Sequence, residues 1–142
     1  MYFGHVAIYT HNLKAMADWY CKYFDGKVIY TGSHGDQDSI YVGYDEHCYM
    51  ELMDKASVPR SLYGPGEERE GLTHVAINVE STQKVRDLTA QLEADGYTII
   101  WQPTDYGGNR FYESCVLDPD GNRVEICVHE DILKAEREAG LR

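Results

Sequence analysis

The segment Gly4-His5-Val6-Ala7-Ile8-Tyr9 returns 69 positions later as Thr73-His74-Val75-Ala76-Ile77-Asn78, with His-Val-Ala-Ile identical in both copies. A repeat at about half the chain length points to one supersecondary unit used twice. The correspondence continues beyond the match. Asn12 and Ser81, again 69 apart, are both residue types that begin helices. Leu13, Met16, Ala17, Tyr20 and Phe24 follow Asn12 at helical spacing, and Val85, Leu88 and Leu92 follow Ser81. Asp25-Gly26 and Asp95-Gly96 close the two helices, with each glycine placed for a left-handed cap.

Strand-like stretches complete each half. The first has Lys27 to Thr31, Ser39 to Tyr44 and Cys48 to Met53, the last two joined by Asp45-Glu46-His47. The second has Tyr97 to Trp101, Arg110 to Leu117 and Arg123 to Val128. In the second half the turn Asp118-Pro119-Asp120-Gly121-Asn122 carries proline and glycine where a type I turn takes them. The expected class is α+β, with two tandem βαβββ modules forming mixed sheets. Residues 1–54 form the first module, 55–71 a linker, 72–129 the second module and 130–142 a C-terminal helix, all in one domain. Pro59, Gly64, Pro65, Gly66 and Gly71 mark the linker, which is also a candidate lid.

Strand side chains alternate between faces. Val6 and Ile8 take the helix-covered face, as do Val75 and Ile77, so His5 and His74 fall on the opposite face of equivalent strands. The last strand of each half carries a central carboxylate, Glu51 between Met50 and Leu52 and Glu125 between Val124 and Ile126. A carboxylate inside a sheet is costly unless paired or bound to a cation. Two imidazoles and two carboxylates from matching places make a ligand set for a divalent transition metal. His11, His34, His47 and His129 have no counterpart in the repeat and are expected to be solvated.

Composition narrows the partners. Lys and Arg number 13 against 24 Asp and Glu, a formal charge of −11. That field repels phosphate backbones and gives anionic lipid no polybasic docking segment. The longest apolar run, Val6 to Tyr9, is far too short to cross a membrane, and the first residues show no signal core. A cytoplasmic protein that binds neither nucleic acid nor membrane is expected. Cys21, Cys48, Cys115 and Cys127 form no C-x-x-C pair and are expected to be small apolar side chains rather than disulfides or zinc ligands.

With these residues in place, the chain from Tyr2 to Val128 resembles the vicinal oxygen chelate superfamily, also called the glyoxalase–bleomycin resistance family. The His-Val-Ala-Ile starts and the finish from Asp118 to Glu125 carry the likeness. The resemblance implies cupped sheets around a metal, the glyoxalase/bleomycin resistance/dihydroxybiphenyl dioxygenase fold. The order His5, Glu51, His74, Glu125 is similar to bacterial-type glyoxalase I, a lactoylglutathione lyase. It implies those four residues as ligands of Ni²⁺ or Zn²⁺, with Co²⁺ also suited, and a homodimer. It further implies a small-molecule substrate, the hemithioacetal of a 2-oxoaldehyde, isomerised through an enediolate whose adjacent oxygens the metal holds. Glu125 is then the chief base, and Glu51 serves the other face. Tyr9, Tyr49 and Arg123 are candidates for binding substrate, and Tyr112 is a further candidate for the cavity lining. Tyr9 and Lys55 stand where glyoxalase I commonly has an Arg and an Asn, so the contacts to the thiol differ. Alternatives within the family are an epimerase, a thiol transferase, a dioxygenase or a non-catalytic drug-binding protein.

Overall fold

Helix α1 (Leu13–Phe24) has an aromatic inner face, and that face decides where the first sheet packs. Met16, Ala17, Trp19, Tyr20, Tyr23 and Phe24 are all buried, so Trp19 and Tyr23 join the residues expected from spacing. Burying side chains of this size stabilises by roughly 1.5–3 kcal/mol each. The structure, a computed structural model, describes residues 4–44, 48–106 and 110–141, with the side chain of Tyr106 excepted. It contains two compact units, Met1–Gly64 and Pro65–Arg142.

The first unit holds β1 (His5–Tyr9), β2 (Lys27–His34), β3 (Gln37–Gly43) and β4 (Tyr49–Lys55) in the order β1-β4-β3-β2. Strands β1 and β4 run parallel and the other neighbours antiparallel. The second unit repeats this with β5 (Val75–Asn78), α2 (Thr82–Ala94), β6 (Ile99–Tyr106), β7 (Phe111–Leu117) and β8 (Arg123–Val128), ordered β5-β8-β7-β6. Helix α3 (Glu130–Glu138) follows. The fold is α+β, two four-stranded mixed sheets with three helices. Register repeats as closely as order does: Ala7 lies opposite Glu51, and Ala76 opposite Glu125. A methyl group beside each carboxylate leaves space that a larger neighbour would fill.

Several boundaries differ from the expectation for identifiable reasons. Strand β2 runs on to His34 because Gly35-Asp36 turns it directly into β3, with Gly35 at φ 63°. Strand β6 continues through Pro103 to Tyr106, since it is an edge strand and its register shifts on both sides of Trp101. At the end of α1 the left-handed residue is Asp25, at φ 54°, not Gly26. Gly26 is needed for close approach, because a Cβ there would lie 2.5 Å from Val42 Cγ1. Ser81 caps α2 by accepting from the Lys84 backbone, whereas Asn12, at ψ 44°, makes no side-chain cap bond to α1. The Asp45-Glu46-His47 connection lies outside the described residues.

Helix α3 is fastened by a residue the sequence pattern did not single out. Glu136 is buried and accepts from both the Thr82 backbone N–H (2.9 Å) and the Thr82 hydroxyl (2.8 Å). A carboxylate at the start of α2 also meets the positive end of that helix. Glu136→Ala is expected to lower the unfolding free energy by about 2 kcal/mol, measured by urea denaturation. Unchanged stability would show that Leu133, fully buried, holds the helix alone.

Candidate metal and catalytic site

In each unit the first strand delivers a histidine to the carboxylate of the last strand. His5 Nε2 lies 3.7 Å from a Glu51 oxygen, and His74 Nε2 lies 3.2 Å from a Glu125 oxygen. Two ligands at right angles around one metal, each about 2.1 Å from it, sit about 3 Å apart. The His74–Glu125 pair is close to that spacing, and the His5–Glu51 pair is within an ångström of it. Neither unit by itself gathers three His, Cys, Asp or Glu side chains for a metal, among the described residues.

The surroundings of the two carboxylates differ. Glu125 is 9% exposed, and burial raises its proton affinity above the usual carboxylate range, opposed by His74 and Arg123. Glu113, facing the same side from β7, is also raised, by burial and then by the charge of Glu125. Sequence reasoning missed Glu113; its only signal was alternation along β7 in step with the partner of Glu125, since Cys115 opposes Glu125 and Glu113 opposes Cys127. In the first unit the residue opposite Glu51 is Tyr41, whose hydroxyl donates to the Glu51 carboxylate.

The candidate substrate residues have distinct settings. Tyr9 is 48% exposed on the face that carries His5. The Tyr49 ring stacks on His5, with centroids 4.8 Å apart and planes 12° apart. Arg123 is already engaged: its Nε donates to the Gly66 carbonyl and its Nη1 to Glu68, both at 2.9 Å. The Gly66 N–H also donates to the Gly121 carbonyl, so this end of the linker is bound down in the second unit. Tyr112 does not line the site face. It shares the side of Ser114, which bonds Thr89 of α2, and its hydroxyl accepts from Arg86 of the same helix. His11 is not simply solvated, because it bridges Asp54 and the Val58 carbonyl, each at 3.0 Å. His34 is exposed, His129 contacts Asp131 at 3.5 Å, and His47 lies outside the described residues. The four cysteines form no disulfide. Cys115 and Cys127 are buried, whereas Cys21 and Cys48 are only partly so.

A family model, Glyoxalase/Bleomycin resistance protein/Dioxygenase superfamily, matches residues 2–126. The chain belongs to this superfamily. Among its members, biphenyl-2,3-diol 1,2-dioxygenase 2 of Rhodococcus globerulus is 29% identical over 126 residues, covering 87% of this chain and 60% of the dioxygenase. The chain thus spans about three-fifths of that relative's length. A glyoxylase/bleomycin resistance protein/dioxygenase domain from Frankia sp. EAN1pec superposes with a TM-score of 0.76 at 18% identity, covering 91% of this chain and 98% of that one. The trypanothione-dependent glyoxalase I of Leishmania major superposes with a TM-score of 0.73 at 22% identity, covering 99% and 95%. These superpositions establish the superfamily fold.

Proposed function

We propose that the protein is a metal-dependent lyase of glyoxalase I type, acting on the hemithioacetal of a 2-oxoaldehyde. The observation that carries this reading is the doubled pair, His5 with Glu51 and His74 with Glu125, at equivalent strand positions. Together the four residues form the proposed ligand set for Ni²⁺, Zn²⁺ or Co²⁺, contributed by the units of one chain or by those of two chains in a homodimer. When bound, such an ion supplies Lewis acidity to two adjacent substrate oxygens without changing oxidation state.

The chain's own residues move the protons. Glu125 takes the proton from the carbon that carries the sulfur, because a carbonyl lies beside it. Returning that proton to the neighbouring carbon, while the hydroxyl proton passes between the oxygens, yields a 2-hydroxy thioester. A carboxylate whose proton affinity is raised by burial is a better base than a solvated one. In this reading Tyr9, half exposed on β1, borders the substrate. Lys55 is paired with Asp36 at 3.0 Å, so the thiol moiety is not assigned to glutathione on its account. A cytoplasmic setting accords with this substrate class.

A second reading is favoured by the likeness to the dioxygenase of Rhodococcus globerulus. His5, His74 and Glu125 alone make two histidines and one carboxylate, the set used by non-haem iron oxygenases, with Glu51 to spare. The Glu51→Ala variant separates the two. Under the lyase reading, thioester formation from methylglyoxal and a panel of thiols falls at least about a hundredfold in the metal-loaded variant. Oxygen uptake with a catechol by Fe²⁺-loaded protein, retained in Glu51→Ala, would replace the lyase reading with ring cleavage.

A further inference from the structure

The first unit carries a row of rings that the second, among the described residues, lacks. Strand order places β1, β4, β3 and β2 side by side, and each contributes one ring to the same face: His5, Tyr49, Tyr41 and Tyr30. Successive centroids are 4.8, 5.0 and 4.8 Å apart, and both contacts of Tyr49 are stacked within 12° of parallel. Tyr49 lies opposite His5 on one side and opposite Gly43 on the other. Gly43 makes room for Ile29, since a Cβ there would lie 2.9 Å from Ile29 Cγ2. Tyr41 itself lies opposite Glu51, and its hydroxyl donates to that carboxylate.

We propose that Tyr41 and Tyr49 are positioning residues that hold Glu51 and His5 as a preformed pair of ligands for a divalent metal. The inference rests on the metal reading above and deepens it. His5 is 43% exposed at its side chain, so little else limits rotation of its ring. Stacking on Tyr49 fixes the imidazole plane, and the Tyr41 hydroxyl fixes the carboxylate that its Nε2 approaches. Outer partners of this kind orient ligands, and their loss typically weakens metal binding by about 10–100-fold. The second unit is built otherwise. The residues 74 positions after Tyr41 and Tyr49 are Cys115 and Arg123, the same interval that separates Glu51 from Glu125. Neither supplies a ring, and the Arg123 guanidinium is directed to Gly66 and Glu68. There the histidine has instead Thr73 Oγ1 at 3.1 Å from its Nδ1.

Co²⁺ titration tests this, with affinity read by competition against a chromophoric chelator and ligand geometry by the visible bands of the bound ion. Tyr41→Phe keeps the ring and loses the hydroxyl; Tyr49→Leu loses the stack; Tyr49→Phe restores it. The first two are expected to bind Co²⁺ about 10–100-fold more weakly with shifted bands, and Tyr49→Phe to match the wild type. Near-ultraviolet circular dichroism checks that packing survives, and the single-hydroxyl change in Tyr41→Phe keeps the test open if Tyr49→Leu misfolds. Wild-type affinity and bands in both Tyr41→Phe and Tyr49→Leu would overturn the positioning role while leaving the metal reading standing. Failure of the wild type itself to bind Co²⁺ would overturn both.

Discussion

Glu125→Gln is expected to lower thioester formation by about a thousandfold, the loss typical of removing a positioned general base. That corresponds to about 4 kcal/mol of transition-state stabilisation. The amide keeps the size and shape of the side chain but has no useful basicity. Loss of activity through misfolding is separable from loss of chemistry, because burial of Glu125 gives the expected sign of the stability change. Glu125 is buried on β8, and its burial raises its proton affinity. A group whose folded pKa lies above its unfolded value carries a penalty when charged, so folding weakens as pH rises through that window. Substituting a neutral amide removes the penalty in the metal-free protein. Glu125→Gln without metal is therefore expected to melt no lower than the wild type at neutral pH, by differential scanning calorimetry. An inactive variant of undiminished stability that still binds Co²⁺ assigns the base; wild-type turnover removes Glu125 from the mechanism.

The four proposed ligands were legible because each is a local anomaly that occurs twice. His5 and His74 sit in identical tetrapeptides, and Glu51 and Glu125 interrupt strands of otherwise apolar inward residues. Alternation then placed all four on the face away from the helices, as the burial of Met50, Leu52, Val124 and Ile126 agrees. Residues that act through a neighbouring strand were not legible. Tyr41 is an ordinary strand former in sequence, and its meeting with Glu51 depends on the register between β3 and β4. Glu113 becomes a neighbour of Glu125 and His74 through the register of β7 on β8. Glu136 looks like one charge among many on a polar helix until α3 docks on Thr82. The same limit explains β6: proline argues against a central strand, and only the sheet order reveals that β6 is an edge.

Asp118→Ala is expected to destabilise the protein by about 3 kcal/mol and to disturb the Glu125 pair from seven residues away. Asp118 is 4% exposed and anchors the turn between β7 and β8. Its Oδ1 accepts from the backbone N–H groups of Asp120 (3.0 Å) and Asn122 (2.8 Å), and its Oδ2 accepts from the Asn122 side chain (2.9 Å). Its carbonyl accepts from Gly121 N–H at 2.9 Å, closing the turn around Pro119 and Asp120, and Gly121 takes φ 84°. Alanine removes three accepted bonds at once and leaves their donors only partly accessible to water. The turn sets the pairing of Leu117 with Arg123 and hence of Cys115 with Glu125. A slip of one residue in β8 would send Glu125 to the helix side and Val124 to the site, since side chains alternate. Urea denaturation measures the first effect, and Co²⁺ affinity of the folded fraction measures the second. Asp118→Asn retains one acceptor oxygen and is expected to fall between the alanine variant and the wild type on both scales. Wild-type stability in Asp118→Ala would mean that Pro119 and Gly121 define the turn unaided. The order wild type, asparagine, alanine in both measurements would show that one buried carboxylate sets the strand register on which the second histidine–glutamate pair depends.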